Sequence, residues 1–370
     1  MSSIFESEQA RRYARIRYRL LLVDLLATLL FLWGYQRLGC SAAVAHWAAQ
    51  TTAHFSLQLV FYLLVFGVVQ YAIFLPLHVY RDFFLEHLFG LSRLTLAGWL
   101  VREAKRLALS GVFGLFLMEG FYGILRVWPQ QWTWIATAGW VLVSVVIARI
   151  FPTVLLPIFY KTTPLTEQVL TDRLLALCQQ VGLPALGVFR VDLGAETRKA
   201  NAALAGLGKT RRVLLSDTLL EQFSPEEIET VLAHELGHQR YRHIAKSLVL
   251  ITVGSWIAFL LIDRGSAWWM RAMGLRGLAD LAGFPMLMLV LSMLGLVGLP
   301  LQNGLSRHFE WQADHFAVAT TKAPHVFAAA LLKLGTLNLA DPAPPAWVEI
   351  CFYDHPAIRR RIAVAESAAV

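Results

Sequence analysis

Long apolar runs alternate along the chain with short basic connections. Residues 56–77 contain no charged side chain. Residues 20–35 are apolar except for Asp24, and 107–125 hold a single acid, Glu119. The run 132–159 is longer, with Arg149 inside it and Pro152 and Pro157 near its end. Two more runs, 247–262 and 284–301, follow, the last closing near Pro300. A helix needs about 20 mostly apolar residues to cross the hydrocarbon core, so the six runs predict six membrane helices. The first is not read as a cleaved leader: no small-residue cleavage site follows closely, and Trp33 and Tyr35 stand at its far end.

Between the fourth and fifth runs the pattern changes. Residues 166–181 place Leu170, Leu174, Leu175 and Cys178 at helical spacing. Residues 188–193 read as a short strand. Residues 200–207 and 212–216 read as two more, joined by a hairpin at Gly208-Lys209-Thr210. Ser224 is a good helix N-cap, Pro225 suits the first helical position, and Glu227 completes a capping box. The helix that starts there is expected to run through His234 and on into the fifth span. The fold class that follows is a mainly α, multi-pass membrane protein, with about six transmembrane helices and a small cytoplasmic α+β element. Its expected segments are 1–160 (four spans), 161–246 (the α+β segment), 247–302 (two spans) and 303–370.

Composition strengthens the membrane reading. Of the 370 residues, 57% are hydrophobic and 16% charged, with 12 Trp and 22 Phe. Soluble domains run at roughly 45–50% and about 25%. Disorder, collagen and coiled coil are excluded by the same figures. Three scattered cysteines, Cys40, Cys178 and Cys351, exclude a disulfide scaffold and a cysteine metal site. The net charge of +8 would suit nucleic acid only if the cations gathered on one face among aromatics. Here they alternate with the spans: dense before the first, after the second, in the long fourth connection and in the tail, and sparse in the first and third connections. That bias puts both termini and the long connection in the cytoplasm, with the bilayer as partner and no nucleic acid. The fifth connection, with Arg264, Arg271 and Arg276, runs against it. Asp24, Glu119 and Arg149 lie in apolar runs, where charges usually face a protein interior, a wet cavity or the interface.

The capped helix carries His234-Glu235-Leu236-Gly237-His238, an H-E-x-x-H pattern. At 100° per residue the two histidines project from one face a turn apart, so both imidazoles can reach one zinc ion. Glu235 points about 100° away, placed to take a proton from a water that the metal activates for attack on a peptide carbonyl. A catalytic zinc needs a third protein ligand and an open position. The extended motif with a further histidine fails, since Tyr241 and Ile244 hold the relevant positions. His243, nine positions after His234, would face the opposite side of a continuous helix and is not expected to be a ligand. After the sixth span, Glu310 and Asp314 are spaced i,i+4, with Arg307 a turn earlier. Glu310 as ligand, with Asp314 orienting a ligand histidine from behind, would complete the site.

In order along the chain, these residues resemble the integral-membrane zinc metallopeptidases of the CAAX prenyl protease, or a-factor-converting, type, and more distantly the HtpX heat-shock peptidases. The resemblance rests on Asn201-Ala202, Gly206 to Thr210, Ser216-Asp217-Thr218-Leu219-Leu220, His234 to His238, Ser306-Arg307 with Glu310 and Ala313-Asp314, and Asp354-His355-Pro356. Upstream, Glu86-His87 with Phe89-Gly90-Leu91, and Pro157 to Lys161 with Pro164-Leu165, also match. It implies membrane helices around a water-filled chamber and a zincin-like element on the cytosolic side. It implies one zinc per chain held by His234, His238 and Glu310, Glu235 as general base, and Asp314 with Arg307 in support. Asn201 would line the substrate and His355 would lie near the scissile bond. Peptide substrate is then expected as an added strand along 200–207, where Ala202 and its small neighbours admit a second backbone. The family has seven spans against the six read here, and a longer chain. The shorter layout suits a bacterial inner-membrane enzyme cleaving membrane or membrane-associated proteins, because prenylated substrates are not expected there. A chaperone-like zinc protein and a transporter are the competing classes. A structural zinc needs no glutamate base, and the spans show no paired half-helices or filter.

Overall fold

The computed structural model describes residues 8–206 and 211–367; the expected hairpin turn at Gly208-Lys209-Thr210 lies outside them. Helix α1 spans Glu8–Arg37 and α2 spans Cys40–Thr51. Helices α3 (Phe55–Leu88), α4 (Leu96–Val127) and α5 (Trp132–Phe159) follow. Near its end α5 widens into a π-helical turn, Phe151–Leu155, where Pro152 has no N–H for the α-ladder. Then come β1 (Thr162–Pro164), α6 (Gln168–Gln180), β2 (Val188–Val191), β3 (Ala202–Ala205), β4 (Arg212–Ser216) and α7 (Asp217–Gln222). The chain continues through α8 (Pro225–Arg240), α9 (His243–Ala272), α10 (Phe284–Thr321), α11 (Pro324–Leu337), α12 (Ala346–Phe352) and α13 (Ile358–Ser367).

Among the described residues five helices are long and apolar enough to cross a membrane: α3, α4, α5, α9, and α10 with the 3-10 turn before it. The remaining expected span, 20–35, lies inside the 30-residue α1. Phe116 and Val297 are 70% and 80% exposed. Side chains of that size turned outward along apolar helices make sense only against lipid. The inward faces pack an aromatic core: Phe66 meets Phe31, Tyr35 and Phe284, and Trp132 meets Phe121 and Phe259. Asp24 is not stranded in the bilayer, because Arg81 donates to it at 2.9 Å. Helix α2 was not anticipated. Gly39, at φ 76°, turns the chain after α1, and twelve residues are too few to register as a span.

The four strands form one sheet in the order β1-β2-β4-β3. β2 and β4 are parallel, while β1 and β3 run antiparallel to their neighbours. β1 was missed; three residues ending in a proline give no alternation to read. Leu174, Val213, Leu215, Leu219, Leu232 and Phe327 bury a second core between sheet and helices. This core places α8 under the sheet and α11 and α13 beside it. One expectation fails outright. The helix from Ser224 does not continue into the fifth span: α8 stops at Arg240, Arg242 takes a left-handed φ of 54°, and α9 starts afresh at His243.

Candidate active site

Helix α8 is anchored at its start. The Ser224 N–H donates to Glu227 Oε2 at 2.8 Å and the Glu227 N–H to Ser224 Oγ at 3.2 Å, the reciprocal capping box. Arg173 of α6 then donates to Glu226 and Glu229, and Lys333 of α11 to Glu227. Two turns on, α8 crosses α10 at close range. A Cβ on Gly237 would stand 2.9 Å from Ala313 Cα, so only glycine admits this crossing. It brings His234 and His238 against Glu310.

The donor atoms converge. His234 Nε2 is 3.1 Å from His238 Nε2. Glu310 Oε2 is 3.4 Å from His234 Nε2, and Glu310 Oε1 is 3.2 Å from His238 Nε2. One donor atom from each of the three residues lies within 4.8 Å of the others. Glu310 is 3% exposed, and its Oε2 accepts no hydrogen bond although it faces these groups. A buried carboxylate oxygen with ion-pair neighbours but no hydrogen bond is incompletely satisfied. Together with two imidazole nitrogens it is the His₂Glu set that catalytic zinc takes, so the residues present fit that metal.

Behind this cluster the contacts are charged. His234 Nδ1 donates to Asp314 Oδ1 at 2.8 Å. Arg361 of α13 clamps Asp314 through both oxygens, at 2.7 and 2.9 Å, and reaches 3.5 Å from Glu310. Burial opposes a positive charge on His234, yet Asp314 and Glu310 outweigh it and raise its pKa to about 9. The site favours a cation.

His355 sits in the loop between α12 and α13, half-exposed. Its Nε2 is 3.3 Å from Glu310 Oε1 and its Nδ1 donates to Asp354 at 2.8 Å. Burial lowers its pKa, but the Asp354 and Glu310 carboxylates more than compensate and leave it raised. Arg307 does not touch the donor cluster. It donates to the carbonyls of Glu349 and Tyr353 at 2.6 Å each, and Asn303 donates to that of Cys351. These bonds from α10 hold the segment that carries His355.

Asn201, Ala202, His234, Glu235, His355 and Arg361 line one cavity of about 360 Å³. β3 stands on its rim as an edge strand, with β4 on one side and no described strand on the other. The Ser216 N–H donates to the Asn201 carbonyl at 3.0 Å. Backbone direction alternates along a strand, so the Asn201 and Ala203 groups face β4 while those of Ala202 and Leu204 face outward. One step earlier, the Asn338 side chain takes both outward groups of Ala200: the Ala200 N–H donates to its Oδ1 at 3.1 Å, and its Nδ2 donates to the Ala200 carbonyl at 3.3 Å.

Every expected site residue except Arg307 thus lies at the cluster or on the cavity. Sequence reasoning missed Arg361, which sits in a run of three arginines that reads as tail charge, and Asn338, which no motif marks.

The chain was compared with known proteins. Residues 164–369 match the model of peptidase family M48, and residues 5–161 match the CAAX prenyl protease N-terminal family, described as five membrane helices. The chain belongs to peptidase family M48. It is a multi-pass membrane metalloprotease of the zinc-dependent class. Among the proteins it is similar to, YhfN of Bacillus subtilis, named an uncharacterized metalloprotease, is 26% identical over 89% of this chain and 78% of its own length. The CAAX prenyl protease 1 homolog of Oryza sativa subsp. japonica is 30% identical over 80% and 70%, and CAAX prenyl protease 1 of Saccharomyces cerevisiae 26% identical over 78% and 67%. The crystal structure of S. mikatae Ste24p shares the fold, with a TM-score of 0.86 at 23% identity over 99% of this chain and 91% of that one.

Proposed function

We propose that the protein is a zinc-dependent endopeptidase that cleaves membrane or membrane-associated proteins, with its site on the cytoplasmic face of a bacterial inner membrane. The observation that carries this reading is the convergence of His234, His238 and Glu310, with His234 also lining the cavity that β3 edges. Those three residues would hold one zinc per chain. When bound, zinc supplies Lewis-acid polarisation and a water acidic enough to lose its proton near neutral pH. Glu235 lines the same cavity without belonging to the donor set, and takes that proton as general base. Asp314 keeps His234 in the tautomer whose Nε2 is bare, and Arg361 keeps Asp314 ionised and in place.

The substrate pairs with the outward backbone of Ala202 and Leu204 as an antiparallel strand, which binds peptides of varied sequence. Asn338 already occupies the groups of Ala200, so pairing begins beside Asn201. His355 lines the same cavity and serves as a hydrogen-bond donor for charge that builds on the scissile carbonyl oxygen. Some relatives bear the name CAAX prenyl protease; prenylated substrates are not needed for anything in this reading.

Zinc measured in detergent-purified protein tests the site. The wild type should carry one ion, and His234→Ala, His238→Ala and Glu310→Ala should lose it. Normal zinc in Glu310→Ala would move the third ligand elsewhere.

A further inference from the structure

His238 presents Nε2 to the donor cluster, so its Nδ1 faces the other way. There it lies 3.0 Å from His243 Nδ1. Two imidazole nitrogens at that separation share one proton. His243 Nε2 is 2.9 Å from Gln312 Oε1, and Gln312 Nε2 is 3.1 Å from Nε2 of the exposed His308.

The protons on this chain can run in two directions. In one, His238 Nδ1 donates to His243 Nδ1, His243 Nε2 donates to Gln312 Oε1, and Gln312 Nε2 donates to His308. Each neutral imidazole then carries a single N–H, and His238 Nε2 is left with a bare lone pair. In the reverse direction, with the amide turned over, the proton sits on His238 Nε2, where it cannot serve a metal.

The position of His243 has a specific cause. In a helix continuous with α8 it would lie about 180° from His234. The left-handed Arg242 breaks the helix and folds His243 back, 3% exposed, with its ring 4.2 Å from that of Phe309 and 7° from parallel. Phe309 precedes Glu310 on α10, and Gln312 follows it by two. One helix therefore supplies both the third donor and the partners that fix His243.

Resting on the zinc reading above, we infer that His243 is a positioning residue. Through the directed chain His238 to His243 to Gln312 it holds His238 with Nε2 bare and aimed at the metal. The two histidines are held differently: His234 by a charged carboxylate, His238 by a neutral imidazole.

The test is zinc retention against a competing chelator, measured on folded, detergent-purified protein. His243→Phe keeps a ring to stack on Phe309 but has no acceptor; zinc affinity should fall by about 10–100-fold, the usual cost of losing a group that orients a ligand. His243→Asn offers a carbonyl oxygen near the place of Nδ1 and should recover most of the affinity. A packing role predicts the opposite order. Wild-type affinity in His243→Phe, or equal losses in both variants, would overturn the inference. If His243→Phe fails to fold, Gln312→Leu should weaken zinc binding while Gln312→Glu, which keeps an acceptor for His243 Nε2, should not; equal behaviour of that pair overturns the chain. His234→Ala, run alongside, separates the two levels. Wild-type protein that binds no zinc defeats the metal-site reading and this inference with it. Zinc bound by the wild type, lost in His234→Ala and unchanged in His243→Phe defeats the chain alone.

Discussion

Asp314 is 2% exposed and balanced between His234 and Arg361. A buried carboxylate tolerates neutral surroundings poorly. Arg361→Ala leaves it facing His234 alone, and stability should fall by about 3–5 kcal/mol, read as a large drop in melting temperature in detergent. An unchanged melting temperature would show the pair to be incidental. His355→Ala should behave differently: turnover down by about 10²–10³, Michaelis constant little changed, zinc fully retained. Loss of zinc there would make His355 a ligand. The motif histidines were legible because i,i+4 spacing on a capped helix puts two imidazoles on one face whatever the rest of the chain does. Arg361 was illegible because arginine in a basic tail looks the same whether it faces water or a buried acid. His243 was misplaced for a related reason. Its position depends on one left-handed residue, and arginine, which rarely adopts that conformation, gives no warning of it.

Elements set how finely the site is built. The crossing of α8 over α10 requires Gly237, since a methyl group would press on Ala313 Cα at 2.9 Å. Gly237→Ala should therefore spread the helices, at about 1–3 kcal/mol, and weaken zinc binding without touching a donor atom. Normal zinc affinity in that variant would mean that the crossing relaxes freely. Ser216 shows the same economy in the sheet: it accepts from the N–H groups of Asn201 and Leu219, tying β3, β4 and the start of α7 at one hydroxyl. The strands β2, β3 and β4 were readable from β-branched and small residues between turn signals, to within two residues at each end. Their order was not, because a parallel β2-β4 pair with β3 outside is decided by packing on α6 and α8 rather than by local pattern.

At the scale of the whole molecule, α1 ties the membrane part to the catalytic segment. The Tyr18 hydroxyl donates to Asp341 at 2.9 Å and shares a 2.5 Å hydrogen bond with Tyr353, and both partners line the cavity. Orientation across the bilayer was argued from basic residues alone, and labelling of single cysteines tests it. A cysteine at Lys209 should resist an impermeant reagent in intact cells, and one at Arg271 should react. The reversed pattern would invert the topology. The central claim, that this cavity hydrolyses peptide bonds with Glu235 as the base, is tested most directly by one comparison. Wild type and Glu235→Gln are assayed on the same peptide mixture, with zinc measured in both. Glu235 is not among the converging donors, so the variant should keep its zinc while cleavage falls by about 10²–10⁴. Wild-type cleavage by a zinc-loaded Glu235→Gln protein would contradict the account.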